Sequence, residues 1–290
     1  MPELPEVETV KRGLEPILMG RMITRVELRR ANLRFAFPDG FVGAFEGSRV
    51  LSLSRRAKYI VINFEHDLSL IVHLGMTGRF TAITASGQNN LGEFYFATGS
   101  GHAADGPHDH VVLHLDNGTK LIYNDPRRFG MMDIATSSAL HEHRLLKDIG
   151  VEPLGNALSS AYVAEKFKGK SAPLKAALLD QQIIAGLGNI YVCEALHRAK
   201  LSPTRTAGTL KLGDKRLDEL IRHIRDILNE SILSGGSTLQ DFQGTDGEKG
   251  SYQQRFLAYD REGEDCSCGG KIKRIVQSGR STFYCSSCQK

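Results

Sequence analysis

The chain has 290 residues, of which 41% are hydrophobic and 24% charged, and a formal net charge of +4 at pH 7; this describes a globular protein long enough for two domains with separate cores. It holds no run of about 18 apolar residues, and its acidic, proline-containing start is unlike a secretory leader. Neither a membrane-spanning nor a secreted class is expected, and a bacterial or cytosolic reducing compartment is the default expectation.

The first ten residues, MPELPEVETV, support two readings. In one, Pro2 and Pro5 fix φ at a helix start, the glutamates complement the helix dipole, and Val7, Val10 and Leu14 face a core. In the other, proline at position 2 leaves Met1 removable, and Pro2 then carries a free secondary amine. An α-amino group titrates about two units below lysine, so it can act as a nucleophile with Glu3 or Glu6 moving protons.

Downstream, short alternating or apolar runs recur at 25–28, 50–54, 59–64, 69–74, 93–96, 110–115 and 120–123. They predict a β-sandwich or barrel, with DNGT at 116–119 joining two strands through an Asn-Gly turn. From about residue 139 the strand signal gives way to helix. PLKAALLDQQIIAGLGNIYVCEALHRA reads as helix, Gly-interrupted turn, helix, and Leu217, Leu220, Ile221, Ile224 and Leu228 mark another helix by their spacing. AGLGNIY at 185–191 would place Asn189 and the first amides of a helix toward an anion, or serve only as a turn that needs small residues. Residues 235–250 contain five glycines, which suits either a flexible linker or a loop that closes on a ligand.

Cys193 stands alone, whereas Cys266, Cys268, Cys285 and Cys288 crowd the C-terminus around two alternating runs joined at QSGR. A β-hairpin tied at its base by four thiolates around zinc is expected. Only Ser267 separates Cys266 from Cys268, so Asp265 competes with Cys266 for the fourth position. Residues 266–290 carry Lys271, Lys273, Arg274, Arg280 and Lys290 with no Asp or Glu, a basic module suited to a polyanion such as nucleic acid. Arg280 beside the hairpin tip is placed to grip phosphate. His102, His108, His110 and His114 also cluster, but no carboxylate–histidine signature frames them.

MPELPEVETVKRGL, HLGMTGRF, NDPRRFG, LLDQQIIAGLGNIYVCEALHRAKLSP and GRSTFYCSSCQK, in this order from first residue to last, resemble the bacterial formamidopyrimidine-DNA glycosylase family. The resemblance implies a multidomain α and β fold. An N-terminal β-sandwich domain with an N-terminal helix would span 1–135, a helical helix-two-turn-helix domain 150–235, and a base-enclosing loop with a C-terminal zinc finger 236–290. It implies a bifunctional DNA glycosylase and abasic-site lyase acting on oxidised purines, with a catalytic set of Pro2, Glu3, Glu6, Lys58 and Arg280. DNA contacts would come from Lys58, His73, Met76, Arg127, Phe129, Lys175, Asn189 and Arg280. Lys175 and residues 237–250 would enclose an extruded base, and Met76, Arg127 and Phe129 would fill the space it leaves. One structural zinc would bind Cys266, Cys268, Cys285 and Cys288. The partner would be duplex DNA with oxidised purines or abasic sites, the state monomeric without a membrane, and the location the bacterial cytoplasm at the nucleoid. Two alternatives stay open: an endonuclease VIII-like enzyme for oxidised pyrimidines, and a non-catalytic zinc-ribbon DNA-binding protein, which would not need Pro2 exposed.

Overall fold

A computed structural model describes residues 2–84, 87–91, 106–237 and 251–290. The chain divides into two compact units: one runs to Lys147 and takes up Ser234–Ser251, and the other comprises Asp148–Leu233 with Tyr252–Lys290.

The first unit opens with α1 (Leu4–Leu18), which starts at Glu3 with Pro5 in its first turn. Val7, Val10, Leu14 and Leu18 are each at most 1% exposed, and burying such side chains contributes about 1.5–3 kcal/mol apiece. Gly20, at φ +72, turns the chain after the helix. Then follow β1 (Ile23–Leu28), α2 (Phe41–Phe45), β2 (Val50–Arg56), β3 (Tyr59–Phe64), β4 (Leu68–His73), β5 (Arg79–Thr84), β6 (Gly87–Leu91), β7 (Asp109–Leu115), β8 (Lys120–Asn124) and β9 (Met131–Thr136). They form two antiparallel sheets, ordered β1-β7-β8-β5-β6 and β2-β3-β4-β9. Phe80, Val111, Leu113 and Leu121 from one sheet share a core with Ile60, Ile62, Leu70 and Val72 from the other, and α1 adds its apolar face. The expected sandwich and its N-terminal helix are therefore present. The expected strand at 93–96 lies outside the described residues, while β5, β6 and β9 escaped the sequence reading. The turn after β7 is tight, as expected from Asn-Gly, but only Gly118 takes a positive φ, of +80, and its amide donates to Leu115 O. Gly118 thus makes a one-residue bulge rather than half of a two-residue turn.

The second unit contains α3 (Ser160–Phe167), α4 (Leu174–Leu178), α5 (Asn189–Arg198) and α6 (Lys215–Leu233). Arg198 donates to both oxygens of Glu230, at 2.9 and 2.8 Å, and so ties α5 to α6. The unit ends in the hairpin β10 (Ile272–Gln277) and β11 (Arg280–Cys285). Its register, Ile272↔Cys285 through Gln277↔Arg280, leaves Ser278 and Gly279 as a two-residue turn, with φ of +50 and +73. Two positive φ values in succession match the twist of the flanking strands.

Candidate active site and metal centre

Pro2 is buried immediately ahead of α1. Glu6, one turn into the helix, accepts the Glu3 amide through Oε2 at 2.9 Å, one half of a capping box. Its other oxygen, Oε1, accepts the amide and the hydroxyl of Ser237, both at 2.8 Å. Gly236 makes that approach possible: at φ +89, a Cβ on it would lie 3.3 Å from the Glu6 carboxylate. Glu6 is thus 2% exposed and engaged on both oxygens, and Glu3 is 3% exposed. Of the glycine-rich segment read from the sequence, Ser237 is placed here, and 238–250 lie outside the described residues.

Lys58 occupies the β2–β3 turn, where Ala57 takes φ +53. Its side chain is mostly covered, at 6% exposed. His73, at the end of β4, packs its ring on Tyr59 and accepts the Gly75 amide at Nδ1. The hydrogen on this imidazole therefore sits on Nε2. Burial, then the charges of Lys58 and Arg34, push its pKa down to about 4, so the ring is a neutral donor at physiological pH.

Met76, Arg127 and Phe129 come from two loops held together by Asp125. This fully buried carboxylate accepts the Thr77 hydroxyl on Oδ1 and the Gly130 amide on Oδ2. The same Thr77 oxygen accepts the Arg127 amide. Gly75, at φ +66, lies where any Cβ would strike the backbone of Phe129 and Gly130. The two loops consequently touch backbone to backbone; Met76 is half-buried, Phe129 is exposed, and the Arg127 guanidinium lies 4.7 Å above the Phe129 ring. Asp125 and Thr77 were not singled out from the sequence, although both lie within the motifs that carried the resemblance.

In the second unit, Gln181 shapes the turn before α5: it accepts the Gly186 amide and donates to Leu187 O. Asn189, the first residue of α5, donates Nδ2 to Ser281 O at 2.9 Å, and its Oδ1 has no partner among the described residues. Arg280 precedes Ser281 at the hairpin tip and is exposed. Lys175 reaches the same hairpin. Its side chain is 1% exposed, and Nζ donates to Ser281 O at 3.0 Å and Thr282 Oγ1 at 2.6 Å. The ammonium serves β11 because a buried cation needs oxygen acceptors and the hairpin supplies them. These contacts are with the strand that carries Arg280, and residues 238–250, its expected companions around an extruded base, lie outside the described residues.

The four C-terminal cysteines form the only group among the described residues fitted to hold a metal, their sulfurs all within 4.8 Å of one another. Cys266 and Cys288 are 3.9 Å apart at sulfur, and Cys268 and Cys285 3.5 Å; tetrahedral zinc with bonds of about 2.3 Å calls for about 3.8 Å. The donor set fits one structural zinc. Asp265 is not a competitor: its carboxylate pairs with Lys271 at 2.6 Å. The single-residue gap is accommodated by a tight turn in which Gly269, at φ +85, donates its amide to Cys266 O. Burial opposes ionisation of Cys285, but amides of Cys288 and Ser287 with the Cys268 and Cys266 thiols outweigh it and bring Cys285 down to about 6, while burial and the same thiols push Cys288 up; zinc would hold all four as thiolates. Of the clustered histidines, His110 is bonded to Asp125 O and His114 to Glu27, and His102 lies outside the described residues. Sequence reasoning missed Glu194, Gln289 and His197. Glu194, buried in α5, accepts the amides of Leu257, Ala258 and Tyr259 at 2.7–2.9 Å. Gln289 bridges Cys285 N and Leu201 O.

A β-sandwich headed by a helix, a helical unit and a four-cysteine hairpin together define the architecture of a DNA-repair glycosylase. Residues 1–132 match the family described as Formamidopyrimidine-DNA glycosylase N-terminal domain, 149–243 the Formamidopyrimidine-DNA glycosylase H2TH domain, and 267–290 the zinc finger found in FPG and IleRS. The formamidopyrimidine-DNA glycosylases of Rhizobium johnstonii and Rhizobium meliloti are 51% and 53% identical, with the whole of each chain aligned. Among solved structures, the MutM (Fpg) protein of Thermus thermophilus superposes with TM-score 0.82 at 37% identity, covering 99% of this chain and 98% of that one. Lactococcus lactis Fpg in complex with DNA containing an abasic site gives TM-score 0.85 at 32% identity, covering 99% of both chains. The chain belongs to the formamidopyrimidine-DNA glycosylase family and is a base-excision repair glycosylase. No helix among the described residues is long and apolar enough to cross a membrane.

Proposed function

We propose that this chain excises oxidised purines, chiefly 8-oxoguanine and formamidopyrimidines, from duplex DNA and then cuts the strand, with Pro2 as the nucleophile. One observation carries the reading: Pro2 is buried ahead of α1, and the Glu6 carboxylate clamps the amide of Glu3, the residue that follows it. With Met1 removed, the proline amine attacks C1′ of the damaged nucleotide, the base departs, and the opened sugar is held as an iminium. The iminium acidifies the adjacent sugar proton, so successive β and δ eliminations follow and leave a one-nucleotide gap ending in phosphates. Glu3 shuttles protons through sugar opening and elimination. Glu6, with both oxygens engaged, holds the Glu3 amide in place rather than exchanging protons.

Lys58, Asn189 and Arg280 bind backbone phosphates and His73 donates Nε2–H to the DNA, contacts that position the strand without reading sequence. Met76 and Phe129 fill the vacated stack while Arg127 faces the orphaned cytosine. The Lactococcus lactis structures with abasic-site and Fapy-dG DNA support DNA as the partner. Zinc takes no part in the chemistry; it folds the hairpin that carries Arg280. The bacterial cytoplasm is the compartment that fits a reduced four-cysteine site and a DNA substrate.

Borohydride reduction on a duplex with 8-oxoguanine opposite cytosine tests the proposal. A chain starting at Pro2 should become covalently linked to the DNA, whereas full activity in a homogeneous preparation retaining Met1 would overturn Pro2 as nucleophile. Stronger trapping on an oxidised pyrimidine would change the substrate class and leave the chemistry standing.

A further inference from the structure

The zinc-binding cysteines form two unequal pairs. Cys285 and Cys288 enclose two residues, and the amides at the second and third positions after Cys285, those of Ser287 and Cys288, point at its sulfur. Cys266 and Cys268 enclose one residue, and the amide three positions after Cys266, that of Gly269, is turned onto the Cys266 carbonyl at 2.9 Å. The third-position amide of the shorter pair is therefore committed to a carbonyl and not to the Cys266 sulfur. Metal-bound thiolates nevertheless hold excess negative charge, four of them around Zn²⁺ amounting to a formal net charge of about −2, and outer N–H donors normally offset it.

The end of α5 faces this gap. His197, in its last turn and 3% exposed, has Nε2 3.3 Å from Cys266 Sγ. Its Nδ1 is buried without a partner among the described residues. Lys200, two residues past the helix in the left-handed conformation at φ +56, brings Nζ to 3.7 Å from Cys288 Sγ. Facing a zinc-bound thiolate, which can only accept, the imidazole must present Nε2–H.

We propose that His197 is a positioning residue of the zinc site: its Nε2–H donates to the Cys266 thiolate in place of the Gly269 amide, and Lys200 offsets charge at Cys288. The proposal rests on the four-cysteine zinc site, and zinc content of the wild-type chain tests that site separately.

The measurements use the full chain as His197→Phe, which keeps an aromatic ring but removes the donor, and His197→Gln, which restores an N–H. Zinc affinity by competition with a chromophoric chelator should fall about 10-fold or more in the Phe variant and recover in part in the Gln variant. With cobalt(II) replacing zinc, the sulfur-to-metal charge-transfer band should move to longer wavelength in the Phe variant, because losing N–H···S raises the sulfur donor level, and move back in the Gln variant. Loss of metal from His197→Phe with retention in His197→Gln supports the same conclusion. One zinc per wild-type chain, with unchanged affinity and an unchanged band in both variants, overturns the role of His197. A wild-type chain that binds no zinc overturns the metal site itself.

Discussion

Asp125 shows how much one buried side chain can organise. Its two oxygens are shared between the loop bearing Met76 and the loop bearing Arg127 and Phe129. Replacing it with Ala leaves the Thr77 hydroxyl and the Gly130 amide without their acceptor, and each buried orphan costs about 1–3 kcal/mol. Asp125→Ala should lower unfolding stability by about 3 kcal/mol, read as a lower urea midpoint at unchanged slope. His73 gives a prediction about pH. Its folded pKa of about 4 lies below the ordinary 6.5 because burial, Lys58 and Arg34 disfavour the cation, while Tyr59 packs on its face. A group lowered in this way favours unfolding as acid is added: the unfolded chain takes up the proton near 6.5, and the folded chain waits until about 4. The stability His73 contributes is whole above pH 6.5 and drains away as pH falls toward 4. Proton NMR of its C2–H should titrate with a midpoint near 4, and an inflection between about 6 and 7, the ordinary histidine range, would contradict this environment.

At the scale of elements, the hairpin of β10 and β11 is a platform, and its support comes from elsewhere in its unit. Lys175 and Asn189 both donate to Ser281 O, one residue from Arg280. If Lys175 acts through that strand, Lys175→Met should weaken DNA binding less than Arg280→Ala, and the double variant should bind as Arg280→Ala does. Additive losses in this double-mutant cycle would mean that Lys175 has its own contact with DNA. Arg280→Ala alone should weaken binding to damaged and undamaged duplexes alike and reduce the salt slope by about one unit. The hairpin itself was legible in the sequence, because alternation, Ser278-Gly279 and paired cysteines are local signals. The partners were not: the bonds from Lys175 to Thr282 and from His197 to Cys266 span 107 and 69 residues, and no spacing rule reaches so far. β5 and β9 were hidden for another reason. In β5 the alternation Arg79-Phe80-Thr81-Ala82 covers only four residues before Ile83 breaks it, and β9 opens on Met131, Met132 and Asp133, all buried and without alternation. Pro2, Glu3 and Glu6 were legible as residue types that suit an amine nucleophile. That Glu6 is occupied by Ser237 was invisible without the fold.

For the whole molecule, the two units differ in what folds them. The first has a two-sheet core closed by α1. The small cluster under the metal hairpin contains Ala258, Cys266, Ile272, Phe283 and Cys285, too little apolar surface to hold about 25 residues without zinc. Structural zinc supplies on the order of 10 kcal/mol coupled to folding. Stripping the metal with a chelator should therefore abolish DNA binding while the thermal transition of the β-sandwich persists; simultaneous loss of both would show that the sandwich depends on the metal. The chain order adds a temporal constraint, since Glu6 is completed by Ser237, 231 residues further on. On the ribosome, residue 2 emerges first and the partner that finishes its surroundings emerges near the end. A nascent chain stalled after Lys147 carries every described strand of the sandwich yet leaves Glu6 without Ser237, so the surroundings of the proposed nucleophile are completed only when most of the chain has been made.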